Sequence, residues 1–577
     1  MENLILKIMD NQNDDHQQTV VSQKWDSKIV VSAGPGTGKS YTAALRVASI
    51  IKQISSMPDY PDPLIVCLTY TNAATYVTNE RLIQQKIFAG VEVRTIDAWC
   101  TKLSSQFGLN EEVVNFNFDR RISKLVEFIR DSSDFEFPVE INHIVVDEAQ
   151  DIYGPRRELF ELLIAKKLIR GWTVLGDPAQ TIYEFESDGK DISFLDFVIK
   201  SEIFDLNLEL LVDHRSKSEK ARSVRALGSE LRKENPSQSG IEGIWREYLD
   251  THVINCSQMV ENAMNYNASG ETVGILLRNN RQLLQLSTML SKKSVNHHFY
   301  AEDSDAILPP WIADLDQVQE IEDLLCMAPS YIDSNSLERL FNRWCQGGRS
   351  KRISMERVAE DLRRSRIPQV LKMRDPEIVS LSTIHRSKGL EYEKVIVGME
   401  REFRENNILE KQEARLLFVA LTRSQFSIVR LNMDELKTTS KFNKTIGRWM
   451  DFKFKGKEKK PVGLEVRMKD FVFIRQPDTL SIGDQVLIKK IKGLEENIGL
   501  FEAYEPGNNE PFAYLSQDFS SAVHNLFAGV DPSVFNGLYV QSLAAILVPT
   551  TGRDNWKQKY FAKVPFIAGM VYLAPKG

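Results

Sequence analysis

Residues Lys28 to Ser40 read KIVVSAGPGTGKS, and the order of residue types in that stretch decides the architecture. Lys28 to Ala33 is a short apolar, β-branched run that breaks into Gly34, Gly36 and Gly38, interleaved with Pro35 and Thr37; Lys39 and Ser40 then open a helical pattern from Tyr41 to Ile54. A strand that turns through glycines into a helix aims successive backbone N–H groups, and the positive helix end, at phosphate oxygens. In such a loop Gly34, Gly36, Thr37 and Gly38 form the cradle, Lys39 reaches the β- and γ-phosphates, and the Ser40 hydroxyl ligates magnesium (Mg2+). The strict loop pattern has glycine where Ala33 stands.

Outward from that stretch the chain alternates strands and helices. Leu64–Tyr70, Ile141–Val146 and Trp172–Leu175 are apolar runs bounded by turn residues, with helical patterns at Asn72–Gln85 and Arg156–Ile169, which is the rhythm of a parallel sheet buried on both faces. Ile141–Val146 runs into Asp147-Glu148-Ala149-Gln150-Asp151. An aspartate at a strand's C-terminal end holds magnesium, and the adjacent Glu148 is placed to take a proton from an attacking water. Trp172–Leu175 leads to Gly176-Asp177-Pro178-Ala179-Gln180, which delivers the Gln180 amide towards a γ-phosphate.

A second α/β region is expected from Leu206, with strands at Thr272–Leu277, Ile378–Leu381, Lys394–Gly398 and Phe426–Leu431. Charged, helical Ile321–Lys372 interrupts it as an insertion. Asp451–Lys460, DFKFKGKEKK, is expected to be a lysine-rich linker, and the pattern beyond it turns to strands and Gly/Pro/Asn turns. Paired carboxylates followed by lysine at nuclease spacing are not found there.

At 577 residues the length predicts about four globular units. Apolar residues at 42% and charged residues at 26% exclude a disordered or fibrous chain. The longest uncharged apolar run near the C-terminus, Phe566–Ala574, is nine residues, against the roughly 18 of a spanning helix. Leu4–Met9 lacks a cationic leader and a small-residue cleavage site, so no membrane association and a cytoplasmic location are expected. Five scattered cysteines without a C-x-x-C pair predict neither a disulfide framework nor a metal cluster. The net charge of −6 excludes a basic coat over the whole molecule and leaves room for a local basic track.

Eight blocks then appear in order: the loop at Ala33–Ser40, LTYTNAAT from Leu68, RTIDAWC from Arg94, VDEAQD from Val146, LGDPAQTIYEF from Leu175, LVDHRS from Leu211, STIHRSKGLEYEKVIV from Ser382 and LLFVALTRS from Leu416. Over roughly residues 13 to 430 they resemble superfamily 1A DNA helicases of the UvrD/Rep (PcrA-like) family, whose loop tolerates alanine where Ala33 stands. The resemblance implies an α/β fold: two RecA-like parallel-sheet P-loop NTPase lobes with reduced helical insertions and a C-terminal β-rich domain. Residues 1–205 would form lobe 1A with a reduced 1B insertion at 101–143, residues 206–450 lobe 2A with a reduced 2B insertion at 311–374, and residues 451–577 the linker and accessory domain.

It also implies roles. Lys39, Asp147, Glu148 and Gln180 would act on ATP and magnesium, and Arg215 and Arg423 would reach from the second lobe to the transferred phosphoryl group. Arg46 would pack on adenine, Gln17 or equally Gln18 would read it, and Glu391 would lie beside the sugar. Thr69, Tyr70, Thr71 and Asn72, with Thr383 and His385, would contact single-stranded DNA, and Tyr183 and Phe185 would stack on bases. Three positions depart from the family: His214 stands for a tyrosine, Asp97 for a histidine, and Phe185-Glu-Ser-Asp188 for an arginine-bearing run.

The implied function is ATP-driven 3′–5′ translocation or unwinding, on single-stranded DNA or a single/double-strand junction, in repair, replication or defence. A protein partner, nuclease or repair factor, would dock on 451–577. The alternative is an ATP-gated nucleic-acid sensor controlling a partner nuclease. Arg343–Arg366, with eight Lys/Arg against three Asp/Glu, reads equally as a phosphate track or a solvated helix face.

Overall fold

A computed structural model describes residues 15–57, 63–85, 87, 90–109, 118–182, 191–233, 235–300, 308–345, 352–364, 368–400, 407–436, 440–455, 458–477, 479–491, 501–527, 534–548 and 559–573. The chain forms two compact units. One comprises Met1–Thr251 with Lys388–Glu391 and Arg401–Ile428; the other comprises His252–Ser387, Tyr392–Glu400 and Val429–Gly577.

The first unit holds a six-stranded sheet built from β1 (Lys28–Ala33), β2 (Ile65–Thr69), β3 (Val91–Thr95), β4 (His143–Val146), β5 (Gly171–Gly176) and β6 (Leu206–Leu210), in the order β3-β2-β4-β5-β1-β6. All five neighbouring pairs are parallel. Side chains alternate between two cores, as the strand period of two requires. Ile29, Val31 and Ala33 join Val47, Ile50 and Ile54 of the helix Lys39–Ser55 on one face. Val30, Val146 and Val174 join Trp99, Leu125 and Phe160 on the other. Parallel strands put their C-terminal ends on one edge, so the loops after β1, β4 and β5 converge there.

Two boundaries differ from expectation. Leu206–Leu210 completes the first sheet, with Ile29 opposite Leu206 and Ala33 opposite Leu210, and the second unit begins at His252. The stretch 101–143, expected as a reduced insertion, contributes the helix Phe118–Asp131, whose Ile122, Leu125, Val126 and Ile129 belong to the first unit's own core.

A second six-stranded sheet orders β7 (Val253–Ile254), β8 (Val273–Leu277), β9 (His298–Tyr300), β10 (Ser380–Thr383), β11 (Tyr392–Gly398) and β12 (Ser424–Leu431) as β7-β12-β11-β8-β10-β9; these strands belong to the second unit except for the start of β12, whose residues up to Ile428 are counted with the first. The pairs β8–β10, β8–β11, β9–β10 and β7–β12 are parallel. Between β9 and β10 lie the short helices Ile321–Met327, Ser334–Asn342 and Met355–Arg364.

From Lys441 onwards the chain builds a nine-stranded sheet whose described pairs are antiparallel, and a separate hairpin of Ser542–Leu547 with Phe561–Phe566. The expected linker Asp451–Lys460 is part of it. Strands Arg448–Lys455 and Glu458–Val466 pair antiparallel, with Lys453 opposite Lys460. Phe452 and Phe454 alternate with charged residues at the strand period, a signal that lysine content alone obscures. This sheet shares one core with β8, β10 and β11: Ile275, Leu381 and Ile396 belong to the same cluster as Val486, Phe512 and Val571. Gly483 lies at the seam. Gly483 has φ +93°, and a Cβ there would meet Ser291 O at 2.8 Å, so only glycine admits the helix Asn280–Ser291 so close. Among the described residues no helix is long and apolar enough to cross a membrane.

Candidate active site

The loop after β1 adopts the shape its glycines permit. Gly36 (φ +82°) and Gly38 (φ +85°) are left-handed, and a Cβ on Gly36 would fall 2.7 Å from both the Arg215 Cβ and Asp213 Oδ1. Thr37 is fixed by its hydroxyl on the Gly34 carbonyl at 2.9 Å. Lys39, 8% exposed, donates Nζ to the Ala33 carbonyl at 3.1 Å and lies 4.0 Å from Glu148. The Ser40 hydroxyl donates to Asp147 Oδ2 at 3.1 Å. Two hard oxygen donors, one from the loop and one from the end of β4, therefore meet beside the glycine-rich loop. That donor set fits magnesium.

Burial pushes the Asp147 carboxyl up, with Glu148 beside it adding to the effect. Glu148 is also buried, but Lys39, Lys388, the Gln150 amide and Arg423 together outweigh burial and hold it well below the usual range. Its backbone is left-handed (φ 58°), uncommon for a side-chain-bearing residue and concentrated at functional sites. Gln150 fixes the carboxylate by donating Nε2 to Glu148 Oε2 at 2.5 Å, while its Oε1 accepts from Asp177 N at 3.0 Å.

Gln180, in the turn after β5, donates Nε2 to Asp177 Oδ2 at 2.8 Å, and its Oε1 accepts from Arg423 Nη2 at 3.0 Å. Arg423 is 3% exposed. Burial first, and then neighbouring Arg215, push its guanidinium down to about 9. Arg215 pairs with Glu391, and its Nη1 is buried without a hydrogen-bond partner among the described residues. Lys39, Ser40, Asp147, Glu148, Gln180, Arg215, Glu391 and Arg423 line one cleft of about 900 Å³ together with Gln17 and His214, and all belong to the first unit. Arg215 and Arg423, expected from the second lobe, are thus packed into the same unit as the loop. The reason is that the helix Asn407–Leu421, which leads to Arg423, packs on the helix Gln238–Leu249 and on the turn Pro178–Gln180.

Arg46 is not brought into the cleft. It is fully buried, and its guanidinium is spent on the backbone carbonyls of Val21, Gln23 and Lys24. Asp97 is tied internally, accepting from Arg156 Nε at 2.7 Å. Two basic residues at or beside the cleft, Arg81 and Lys388, carry no role in the sequence reading. Arg81 lines the wall from the helix Asn72–Gln84. Lys388, 5% exposed, pairs with Asp151, donates to the Gln180 carbonyl at 3.0 Å and lies 3.6 Å from Glu148. A lysine before glycine inside the block at Ser382 was the available signal.

Of the DNA candidates in the first unit, Thr69 is buried, its hydroxyl bonded to the Thr71 carbonyl at 3.0 Å. Thr71 caps the next helix by accepting from Ala74 N at 3.2 Å. Tyr70 is half-buried, and Asn72 begins that helix. In the second unit Thr383 ends β10 and is buried, and His385 is half-buried. Tyr183 and Phe185 lie outside the described residues.

Residues 17–186 match the AAA domain family and residues 379–427 match the UvrD-like helicase C-terminal domain family. A DNA helicase II of Rickettsia typhi is 25% identical over 156 residues, 25% of this chain and 23% of that protein; the chain thus spans less than a quarter of that relative's length. The crystal structure of a Pif1 helicase from Candida albicans aligns over 74% of this chain and 96% of its own at 14% identity, with a TM-score of 0.36.

Proposed function

We propose that this chain, with its match to an AAA domain and to a UvrD-like helicase C-terminal domain, is a superfamily 1 UvrD/Rep-like helicase that works as an ATP-dependent motor on single-stranded DNA. The carrying observation is the hydrogen bond from Arg423 to the Gln180 side chain, inside the cleft that also holds Lys39, Ser40, Asp147 and Glu148. Cations crowded into a buried cleft, one with its guanidinium pushed down, are an arrangement that an anionic ligand relieves. Lys39 and the N–H groups around Gly36 and Gly38 would bind and orient the phosphates. Ser40 and Asp147 would hold magnesium, which supplies charge neutralisation when bound. Glu148, kept ionised by its cationic neighbours, would orient the attacking water and accept its proton. Arg215 and Arg423 would neutralise charge on the transferred group, where positioning and electrostatics supply most of the rate.

Gln180 bonds to Arg423 through its side chain and to Lys388 through its carbonyl, so a change at the γ-phosphate would reach segments 388–391 and 401–428, from which the chain enters the second unit. That is our route for coupling hydrolysis to stepping. The 3′–5′ direction, the contacts of Thr69–Asn72, Tyr183, Phe185, Thr383 and His385 with the strand, a cytoplasmic location and a role in repair or defence belong to the same proposal. A protein partner, nuclease or repair factor, docking on 451–577 belongs to the same proposal.

The test is ATP hydrolysis with and without single-stranded DNA. DNA should stimulate turnover, and Lys39→Ala or Glu148→Gln should each cut it by on the order of a hundredfold or more. Hydrolysis indifferent to both substitutions would refute the assignment. Strand displacement by the isolated chain distinguishes a motor from an ATP-gated sensor.

A further inference from the structure

Arg215 is anchored at its root and committed at its head. The Asp213 carboxylate accepts from Arg215 N at 2.9 Å and from Ser216 N at 3.0 Å, and it is itself held by Arg225 Nη1 at 2.6 Å. His214 N donates to the Gly36 carbonyl at 2.9 Å, which ties this turn to the phosphate loop. The Arg215 Cβ packs so closely on Gly36 that no side chain fits between them. The backbone and first carbon are therefore fixed, and the freedom left to Arg215 is in its outer torsions. Its Nη2 pairs with Glu391 Oε1, while Nη1 is buried with no hydrogen-bond partner among the described residues. Glu391 is steadied in turn by Gln425, which donates Nε2 to its other oxygen at 3.3 Å. The pair is partly shielded, with side chains 18% and 36% exposed, and both residues line the cleft.

Resting on the nucleotide reading above, we infer that Glu391 is a positioning residue that holds the Arg215 guanidinium away from the terminal phosphate, so that ATP must win this arginine from a resident carboxylate. A triphosphate offers Arg215 a second anionic partner with more charge and more acceptor oxygens than a carboxylate. The two partners compete for one head group on a fixed stem. A diphosphate, lacking the terminal group, leaves Arg215 with Glu391. The exchange therefore makes the cleft discriminate ATP from ADP, and its cost is charged to ATP alone.

The experiment measures ATP and ADP affinity of the full chain by equilibrium titration, for the unsubstituted protein, Glu391→Gln, Glu391→Ala, Arg215→Ala and the Arg215→Ala/Glu391→Ala pair. Removing the carboxylate should tighten ATP by about three- to tenfold, the scale of a partly shielded ion pair, more for alanine than for glutamine, which can still accept a hydrogen bond. ADP should change by less than about twofold. On the Arg215→Ala background the ATP-over-ADP gain should vanish, because the effect acts through that guanidinium. Parallel weakening of ATP and ADP would overturn the inference and make Glu391 a direct nucleotide contact instead. A gain that persists without Arg215 would overturn it as well, by reducing it to loss of a negative charge. Failure of the unsubstituted chain to bind ATP overturns the nucleotide reading itself, a result distinct from either.

Discussion

His143 begins β4 with both ring nitrogens engaged. The Trp25 carbonyl, 2.6 Å from Nδ1, can only accept, so that nitrogen carries the proton, and Nε2 accepts from the Thr173 hydroxyl at 2.9 Å. The ring is fully buried, and burial, reinforced by Arg46, pushes its pKa down to about 3. An unfolded histidine titrates near 6.5, so the contribution of neutral His143 is fully present above that pH and is lost as pH falls from about 6.5 towards 3, where the unfolded chain binds the extra proton. His297 and His298 act with the same sign in the second unit, pushed down to about 4 and about 3 by burial. Each such histidine should cost about 1.4 kcal/mol of stability per pH unit within its window. Urea unfolding between pH 7 and pH 5 measures this. In His143→Gln the curve should be lower at pH 7 but flatter by one proton; an unchanged slope would mean that His143 does not titrate on unfolding.

At the scale of elements, the Arg281–Asp451 pair shows how the C-terminal strands are fastened. Arg281, on the helix Asn280–Ser291, donates to Asp451 Oδ2 at 2.7 Å, and Tyr572 OH donates to the same oxygen at 2.6 Å. Burial opposes the charged carboxylate, but Arg281, Ser440 and Tyr572 overcome it and hold Asp451 low. Breaking one side of a buried pair strands the other charge, so Asp451→Ala should cost roughly 3–5 kcal/mol, read as a fall in the unfolding midpoint of the second unit. A loss within error of zero would show the network to be dispensable.

The same segment marks what was legible beforehand. Long apolar runs ending in chemistry-bearing loops, such as Ile144–Val146 before Asp147, could be placed on strands because burial on both faces leaves no other reading. β6 was assigned to the wrong side of a boundary because parallel pairing is non-local: nothing in Leu206–Leu210 itself names β1 as its neighbour. Asp451–Lys460 reads as a linker because its charge hides a period of two. Lys39, Ser40, Asp147 and Glu148, singled out by their spacing, lie together in one cleft, whereas Arg46 turns away from it, since helix spacing fixes which residue follows the loop but not whether its side chain turns outward or into the carbonyls of residues 21–24. Lys388 escaped notice because its partner Asp151 is 237 positions away.

For the whole molecule the consequence concerns how the C-terminal quarter is treated. A tethered accessory module can be removed without touching the rest, whereas a sheet that shares a core cannot. Leu277, Leu381 and Ile396 lie in one cluster with Leu464, Val486, Phe512 and Val571, and Arg281 finds its carboxylate across the same seam. Cutting the chain at Ser440 would expose the second sheet's half of that core to water and leave Arg281 without its anion, each a mechanism of large destabilisation. The first unit keeps its own two cores and every cleft residue. Hydrogen exchange on chains 1–577 and 1–440 should therefore show protection lost throughout His252–Ser387 in the shorter chain, by orders of magnitude in exchange rate, with β1, β4 and β5 much less affected. Equal protection of β8 and β10 in the two chains would mean that the shared core contributes nothing to holding that sheet, and that the C-terminal strands are an appendage after all.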